Sequence, residues 1–303
     1  MKLDLSTKIG TVLFKNPVLA ASGTSGYGAI LNDIFDVSQL GGIITKSITV
    51  KPRKGNPPPR IIETSCGMLN SIGLENRGIQ YFLDENLPRL KTFKTNVIAS
   101  IAGNSDEEYA MLAETLNKQV DAIEVNISCP NVKEGGMSFG QELHSTRKVV
   151  ETVKAVSSIP IIVKLTPNVT RIEDFAKVCE ESGADAISLV NTYKGLSIDI
   201  RSRRSNIGAF TGGLSGPAIK PLALYAVWKT AKTVGIPVIG CGGVMNYVDA
   251  IEFFMAGASF IEIGSATFRE PDASLKILRG IKQFLEDENI CCLNDIKGVI
   301  HEC

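Results

Sequence analysis

The sequence lacks several features that mark other classes of protein. Its 303 residues include 32 Lys and Arg against 32 Asp and Glu, so no excess of one charge indicates nucleic-acid or membrane binding. No apolar run approaches the roughly 18 residues that a membrane span needs. The first ten residues, MKLDLSTKIG, contain no apolar segment typical of a secretory signal, so we expect a cytoplasmic protein.

Metal-ligand patterns are also missing from the sequence. The seven cysteines include no CxxC pair and no group with the spacing of a zinc or iron–sulfur site. We therefore expect reduced thiols and no bound metal. If the function needs an iron–sulfur centre, another chain must hold it. There are two histidines, His144 and His301, and both lie away from the strand ends that are discussed below.

Short apolar runs rich in Val and Ile recur along the whole chain, and most are followed by a helical pattern. Such runs are typical of strands buried on both faces of a parallel sheet. Eight units favour a single (β/α)8 TIM barrel, an α/β fold, over an open doubly wound sheet. The eight runs span residues 17–23, 41–49, 96–103, 120–128, 159–167, 183–192, 236–244 and 257–266.

We expect one domain over residues 1–303, because no low-complexity linker interrupts the pattern. The first 16 residues, with KIG as the turn, predict a hairpin that caps the bottom of the barrel. Residues 50–75 and 193–215 exceed ordinary loop length and are expected to be functional insertions at the C-terminal face.

The segments between the runs have helical spacing. Tyr109, Leu112, Ala113 and Leu116 follow the acidic turn after Ser105, at the spacing of a buried helix face. Similar patterns begin after Thr170, after Gly216 as far as about Val234, and after a predicted N-cap at Asn246.

Polar residues end every predicted strand, where barrel enzymes place their active sites. The glycines of GCGGV and IGSA follow strands seven and eight, the usual position of a phosphate group in such barrels. Lys164 and Lys46 stand inside or at the end of apolar runs. Each predicts either an internal salt bridge or a cation that faces an electron-rich ring or an anion.

Cys129 follows the fourth strand and precedes Pro130, so we expect its thiol to point into the mouth of the barrel. An inert buried thiol is the ordinary interpretation of a cysteine, and it suits Cys179 and Cys241. Neither histidine lies near the predicted mouth, so Cys129 is the candidate base if a proton is abstracted there.

Nine motifs, in order along nearly the whole chain, resemble class 1 dihydroorotate dehydrogenases. They include NPVLAASG, GMLNSIGLEN, EVNISCPNVKEGG, VKLTPN, SLVNT and GCGGV. Within that class, ETSCGMLNSIGLEN and NVKEGG resemble the B-type, the NAD-linked catalytic subunit.

The resemblance implies an FMN-containing barrel that oxidises (S)-dihydroorotate to orotate in pyrimidine (UMP) biosynthesis. Cys129 would remove the C5 proton, and FMN would accept the C6 hydride. The implied substrate-binding residues are Lys46, Asn70, Ser71, Ile72, Gly73, Leu74, Asn126, Asn191 and Thr192. The implied FMN-binding residues are Ser22, Lys46, Ser47, Ser100, Asn126, Lys164, Val190, Gly216, Gly242, Gly243, Gly264 and Ser265.

The B-type resemblance also implies a partner subunit that carries FAD and a [2Fe-2S] cluster, passes electrons to NAD, and forms a heterotetramer with two barrels. Three alternatives stay open from the sequence. They are an A-type fumarate-linked enzyme, a flavin barrel acting on another dihydropyrimidine, and a non-catalytic barrel that binds a phosphorylated metabolite.

Overall fold

The computed structural model describes residues 3–127 and 138–300. Cys129 lies outside these residues. The strands of the described part are β1 (Thr7–Ile9), β2 (Val12–Phe14), β3 (Val18–Ala20), β4 (Gly42–Ile44), β5 (Ile61–Thr64), β6 (Gly67–Asn70), β7 (Asn96–Ile101), β8 (Ala122–Asn126), β9 (Ile161–Lys164), β10 (Ala186–Leu189), β11 (Tyr193–Gly195), β12 (Ile198–Asp199), β13 (Arg204–Ser205), β14 (Gly212–Ser215), β15 (Val238–Cys241) and β16 (Phe260–Ile263).

The α-helices of the described part are α1 (Ala29–Ile34), α2 (Gly78–Tyr81), α3 (Leu87–Lys91), α4 (Asp106–Leu116), α5 (Leu143–Val156), α6 (Ile172–Glu181), α7 (Lys220–Ala231), α8 (Tyr247–Met255), α9 (Ala266–Arg269) and α10 (Ala273–Asp287). A π-helical turn at Phe82–Asn86 joins α2 to α3. Among the described helices, none is long and apolar enough to cross a membrane.

Eight parallel strands close into a barrel in the order β10-β15-β16-β3-β4-β7-β8-β9. Each of the eight predicted apolar runs contains one of these strands, so the predicted TIM barrel is confirmed. Nearly all residues of these eight strands are buried. Helices cover the outside of the barrel and side chains fill its inside, which is why the strands are continuously apolar.

The N-terminal hairpin, β1 paired with β2, closes the bottom of the barrel. Its Ile9 and Phe14 are fully buried and pack with lumen residues such as Leu19, Ile98 and Phe260. The Phe14 and Phe260 rings meet edge to face, 5.1 Å apart. The predicted hairpin is confirmed, but the turn falls at residues 10–11 rather than on KIG, because Lys8 and Ile9 pair within β1.

The predicted helices are present, and their ends follow local capping chemistry. The Ser105 hydroxyl accepts a hydrogen bond from the Glu108 amide at the start of α4. Asn246 and Asp249 form a capping box on α8. The helix expected after Gly216 begins with a 3-10 turn and becomes α-helical at Lys220. It ends at Ala231 rather than near Val234.

The two long insertions fold together into a second sheet. Its order is β11-β14-β6-β5, so strands near residues 61–70 pair with strands near residues 193–215. Gly213 permits this pairing, since a Cβ atom there would overlap the Thr192 hydroxyl. The insertions predicted as loops therefore form a sheet beside the barrel mouth.

Candidate active site

A cavity of about 400 Å³ opens where the barrel strands end, a volume typical of small-molecule and cofactor sites. The structure brings most of the predicted site residues to its wall. These are Ser22, Lys46, Ser47, Asn70, Ser71, Ile72, Gly73, Leu74, Asn126, Lys164, Val190, Asn191, Thr192, Gly216, Gly242, Gly243, Gly264 and Ser265.

Ser100 does not reach the cavity wall. It is fully buried behind Ser47, and the two hydroxyl oxygens are 2.9 Å apart. The Asn126 amide donates to the Ser47 hydroxyl at 3.0 Å, and the Tyr109 hydroxyl donates to the Asn126 backbone carbonyl at 2.9 Å. Ser100 therefore supports the residues that line the cavity on this side.

The segment from Asn70 to Leu74 leaves the end of β6 in a sharp turn. Gly73 and Leu74 both have positive φ values, of 74° and 56°. The Asn56 amide donates to the Ser71 hydroxyl at 2.7 Å. A Cβ atom on Gly73 would lie 2.6 Å from the Asn56 backbone nitrogen, so this position requires glycine. The turn exposes polar and backbone groups to the cavity.

Asn191 and Thr192 follow β10, and a neighbouring asparagine holds their position. The Asn168 amide donates to the Thr192 carbonyl at 3.0 Å and to the Thr166 hydroxyl at 2.9 Å. Its oxygen accepts the Lys194 backbone N–H at 2.9 Å. Asn168 thus joins the loops after β9 and β10 and fixes the angle at which they face the cavity.

The glycines after β15 make a tight turn against α7. Gly242 and Gly243 have φ values of 121° and 79°. A Cβ atom on Gly243 would lie 2.7 Å from Lys220 Cβ and 2.8 Å from the Lys220 backbone nitrogen. The loop therefore needs glycine at this position. Glycine also lets backbone N–H groups come close to an anion.

Lys164 lies at the floor of the cavity with a 7% exposed side chain. Its Nζ contacts Glu262 Oε2 and lies 3.7 Å from Glu124 Oε2. The internal salt bridge predicted for Lys164 is present, and Lys164 also lines the cavity, but its pairing with a ring or an anion stays a prediction. Burial lowers the pKa of the Lys164 ammonium, but Cys241, Glu262 and Glu124 raise it by more. The net pKa of Lys164 is therefore above its ordinary value.

Lys46 also lines the cavity, two residues after the end of β4. Burial lowers the pKa of its ammonium, the Glu75 carboxylate raises it, and the Arg60 guanidinium lowers it. The net direction is downward, so the protein neighbours of Lys46 stabilise its charged form less than those of Lys164 do.

Comparison with known proteins decides the family. The chain matches the dihydroorotate dehydrogenase family over residues 4–285. The chain belongs to the dihydroorotate dehydrogenase family.

Dihydroorotate dehydrogenase relatives match it over nearly their whole length. One from Desulforamulus reducens is 48% identical over 303 residues, covering 99% of this chain and all of the relative. One from Caldicellulosiruptor bescii is 50% identical over 299 residues, covering 99% of this chain and all of the relative. Both carry the name dihydroorotate dehydrogenase B (NAD(+)), catalytic subunit.

Sequence reasoning missed several residues of this dehydrogenase cavity. Glu124 and Glu262 line the floor, although each stands inside an apolar run. Like Lys164, each is a single charged residue within a buried strand. Charged residues are seldom buried without a partner, so this pattern could have predicted that the three lie together. Cys241, interpreted as a packing residue, also lines the cavity. Cys66 is exposed and does not.

Proposed function

We propose that this chain oxidises (S)-dihydroorotate to orotate in pyrimidine biosynthesis, as the catalytic subunit of a B-type enzyme in the cytoplasm. The observation that carries the proposal is one cavity that combines three lysines, three asparagines and glycine-rich loops in a chain of this family. The near full-length relatives named as B-type catalytic subunits favour NAD over fumarate as the final acceptor.

The donors in the cavity fit FMN. Asparagine amides and hydroxyls match a ring that bears N–H and C=O groups, and the glycine turns suit a phosphate. In this proposal the cofactor would be held by the loops at 242–243 and 264–265 and by Ser22, Lys46, Ser47, Asn126, Lys164, Val190 and Gly216, and Ser100 would support Ser47 from behind. When bound, FMN supplies the acceptor for the C6 hydride.

The substrate is held by residues of the same cavity, of which Lys46 and Asn126 are also implied to contact the cofactor. Lys46 pairs with the substrate carboxylate or ring oxygens, and the turn from Asn70 to Leu74 offers backbone N–H groups. Asn126, Asn191 and Thr192 orient the ring through paired donors and acceptors. Cys129, whose role is inferred from the sequence, removes the C5 proton.

The experiment mixes the purified yellow chain with dihydroorotate without oxygen. The loss of flavin absorbance with time measures the rate of flavin reduction. Cys129→Ser should cut the rate of this loss severely, because a serine hydroxyl is a much weaker base. Cys66→Ser is the matched control, since Cys66 is exposed and does not line the cavity. A folded, colourless chain that binds no FMN would end the proposal.

We also infer that a partner subunit with FAD and a [2Fe-2S] cluster takes the electrons to NAD in a heterotetramer. The relatives are named as catalytic subunits, which implies another subunit in their assemblies. The test is NAD reduction by the chain alone and after co-expression with its partner. NAD reduction by the isolated chain at the full rate contradicts this part of the proposal.

A further inference from the structure

The cavity floor holds more negative than positive groups. The carboxylates of Glu124 on β8 and Glu262 on β16 both approach the Lys164 ammonium on β9, and their side chains are fully buried. No other salt bridge to either carboxylate occurs among the described residues. If all three groups were ionised, this buried cluster would carry a net charge of −1, which is unfavourable away from water.

The neighbouring groups do not supply the missing positive charge. Ser188 on β10 and Ser100 on β7 offer hydroxyls. Cys241 on β15 has a thiol whose pKa burial raises to about 12, so it is neutral at ordinary pH. A proton on one carboxyl is the remaining way to neutralise the cluster.

The two carboxylates differ in their hydrogen bonds. Glu262 accepts from the Ser188 hydroxyl at 2.6 Å and contacts the Lys164 ammonium. Neither Glu124 oxygen has a partner at full hydrogen-bond geometry within residues 3–127 and 138–300, but the Ser100 hydroxyl and the Glu262 carboxyl lie close enough to shift its pKa, the first downward and the second upward. Burial raises the pKa of the Glu124 carboxyl to about 7, with Lys164 opposing this and Glu262 adding to it. The ionised form is therefore favoured on Glu262 and the proton on Glu124.

We propose that Glu124 and Glu262 share one proton, which Glu124 carries, and that Glu124 exchanges it with solvent as the charge of a ring bound over Lys164 changes. This rests on the FMN site proposed above. A hydride consists of two electrons and one proton, so a flavin ring that accepted one would gain one negative charge. Above about pH 7, where Glu124 has lost the shared proton, that charge raises the pKa of Glu124, and its carboxylate takes one proton back from solvent. Reoxidation releases the proton again.

The first test is the reduction potential of the bound flavin against pH, in the wild type, Glu124→Gln and Glu262→Gln. One proton coupled to two electrons adds about 30 mV per pH unit to the slope. We expect this extra slope in the wild type above about pH 7, and its loss in Glu124→Gln. In Glu262→Gln, removal of the like charge lowers the pKa of Glu124, so the extra slope moves to lower pH.

The second test does not depend on flavin chemistry. Infrared difference spectra of each purified chain, recorded below and above pH 7, should contain the C=O band of a protonated carboxyl that disappears as pH rises. The band should be absent from Glu124→Gln and should disappear at lower pH in Glu262→Gln.

Persistence of the infrared band in Glu124→Gln, or the same pH midpoint in all the chains that retain it, overturns the shared proton. Identical potential slopes in the wild type and Glu124→Gln overturn its coupling to the ring. A chain that displays the band and binds no flavin refutes the proposed function while leaving the shared proton intact, so the two failures are distinguishable.

Discussion

Glu124→Gln should make the pH dependence of folding stability smaller. The folded chain raises the pKa of Glu124 from 4.5 to about 7, so between these values the folded state holds a proton that the unfolded state releases. Stability from this group is therefore complete below pH 4.5 and is lost as pH rises through about 7. At about 1.4 kcal/mol per pH unit, the loss amounts to about 3 kcal/mol.

Glutamine resembles the protonated acid in size and charge, so the variant should match the wild type below about pH 4.5. Above pH 7 it should be more stable by about 3 kcal/mol. For a chain of this length that difference raises the melting temperature by about 5 °C. The assay is the free energy of unfolding from urea denaturation of flavin-stripped protein at a series of pH values, supported by thermal melts.

Glu114→Gln is the matched control, because Glu114 lies exposed on α4. Its stability curve should run parallel to that of the wild type. If the Glu124→Gln curve also runs parallel to the wild type across pH 5 to about 8, the carboxyl does not hold a proton in the folded chain and the reasoning about the cavity floor is wrong.

Three further substitutions test separate parts of the structure. In Gly243→Ala the new Cβ would contact Lys220 at a residue whose φ is 79°. The variant should be less stable by more than about 1 kcal/mol in denaturation and should retain less FMN by flavin absorbance. Unchanged FMN affinity contradicts the phosphate assignment. Asn246→Ala should lower stability by about 1 kcal/mol in urea titrations, whereas Asn246→Asp should not; equal losses would rule out the cap. Asn56→Ala removes the 2.7 Å hydrogen bond to Ser71 and should weaken orotate binding roughly tenfold at unchanged FMN content, as measured by flavin spectral titration; unaltered orotate affinity would separate this turn from the substrate.

The barrel could be predicted from the sequence because each strand is buried on both faces and reads as a continuous apolar run. The α8 cap was equally local, since Asn246 and Asp249 are three residues apart. The start of α7 was misplaced because Pro217 suits both a 3-10 turn and an α-helix.

The cavity floor was not predictable in the same way. Glu124, Lys164 and Glu262 are far apart in sequence and meet because closure of the barrel brings β8, β9 and β16 around one lumen. The same holds for the second sheet, whose strands come from two insertions that are each too long to be assigned by pattern alone. The role of Cys129 stays a prediction.

The second sheet also constrains how a nascent polypeptide acquires its binding site. The Leu69–Leu214 pairing joins segments separated by more than a hundred positions, and contacts of that range form late and slowly. A nascent chain that ends before β14 contains the β5–β6 pair but lacks the strand that pairs with the other edge of β6. The cavity is therefore complete only after β14 and the later lining residues have been synthesised. If the proposed flavin binds there, its fluorescence during translation would report the moment at which the two insertions meet.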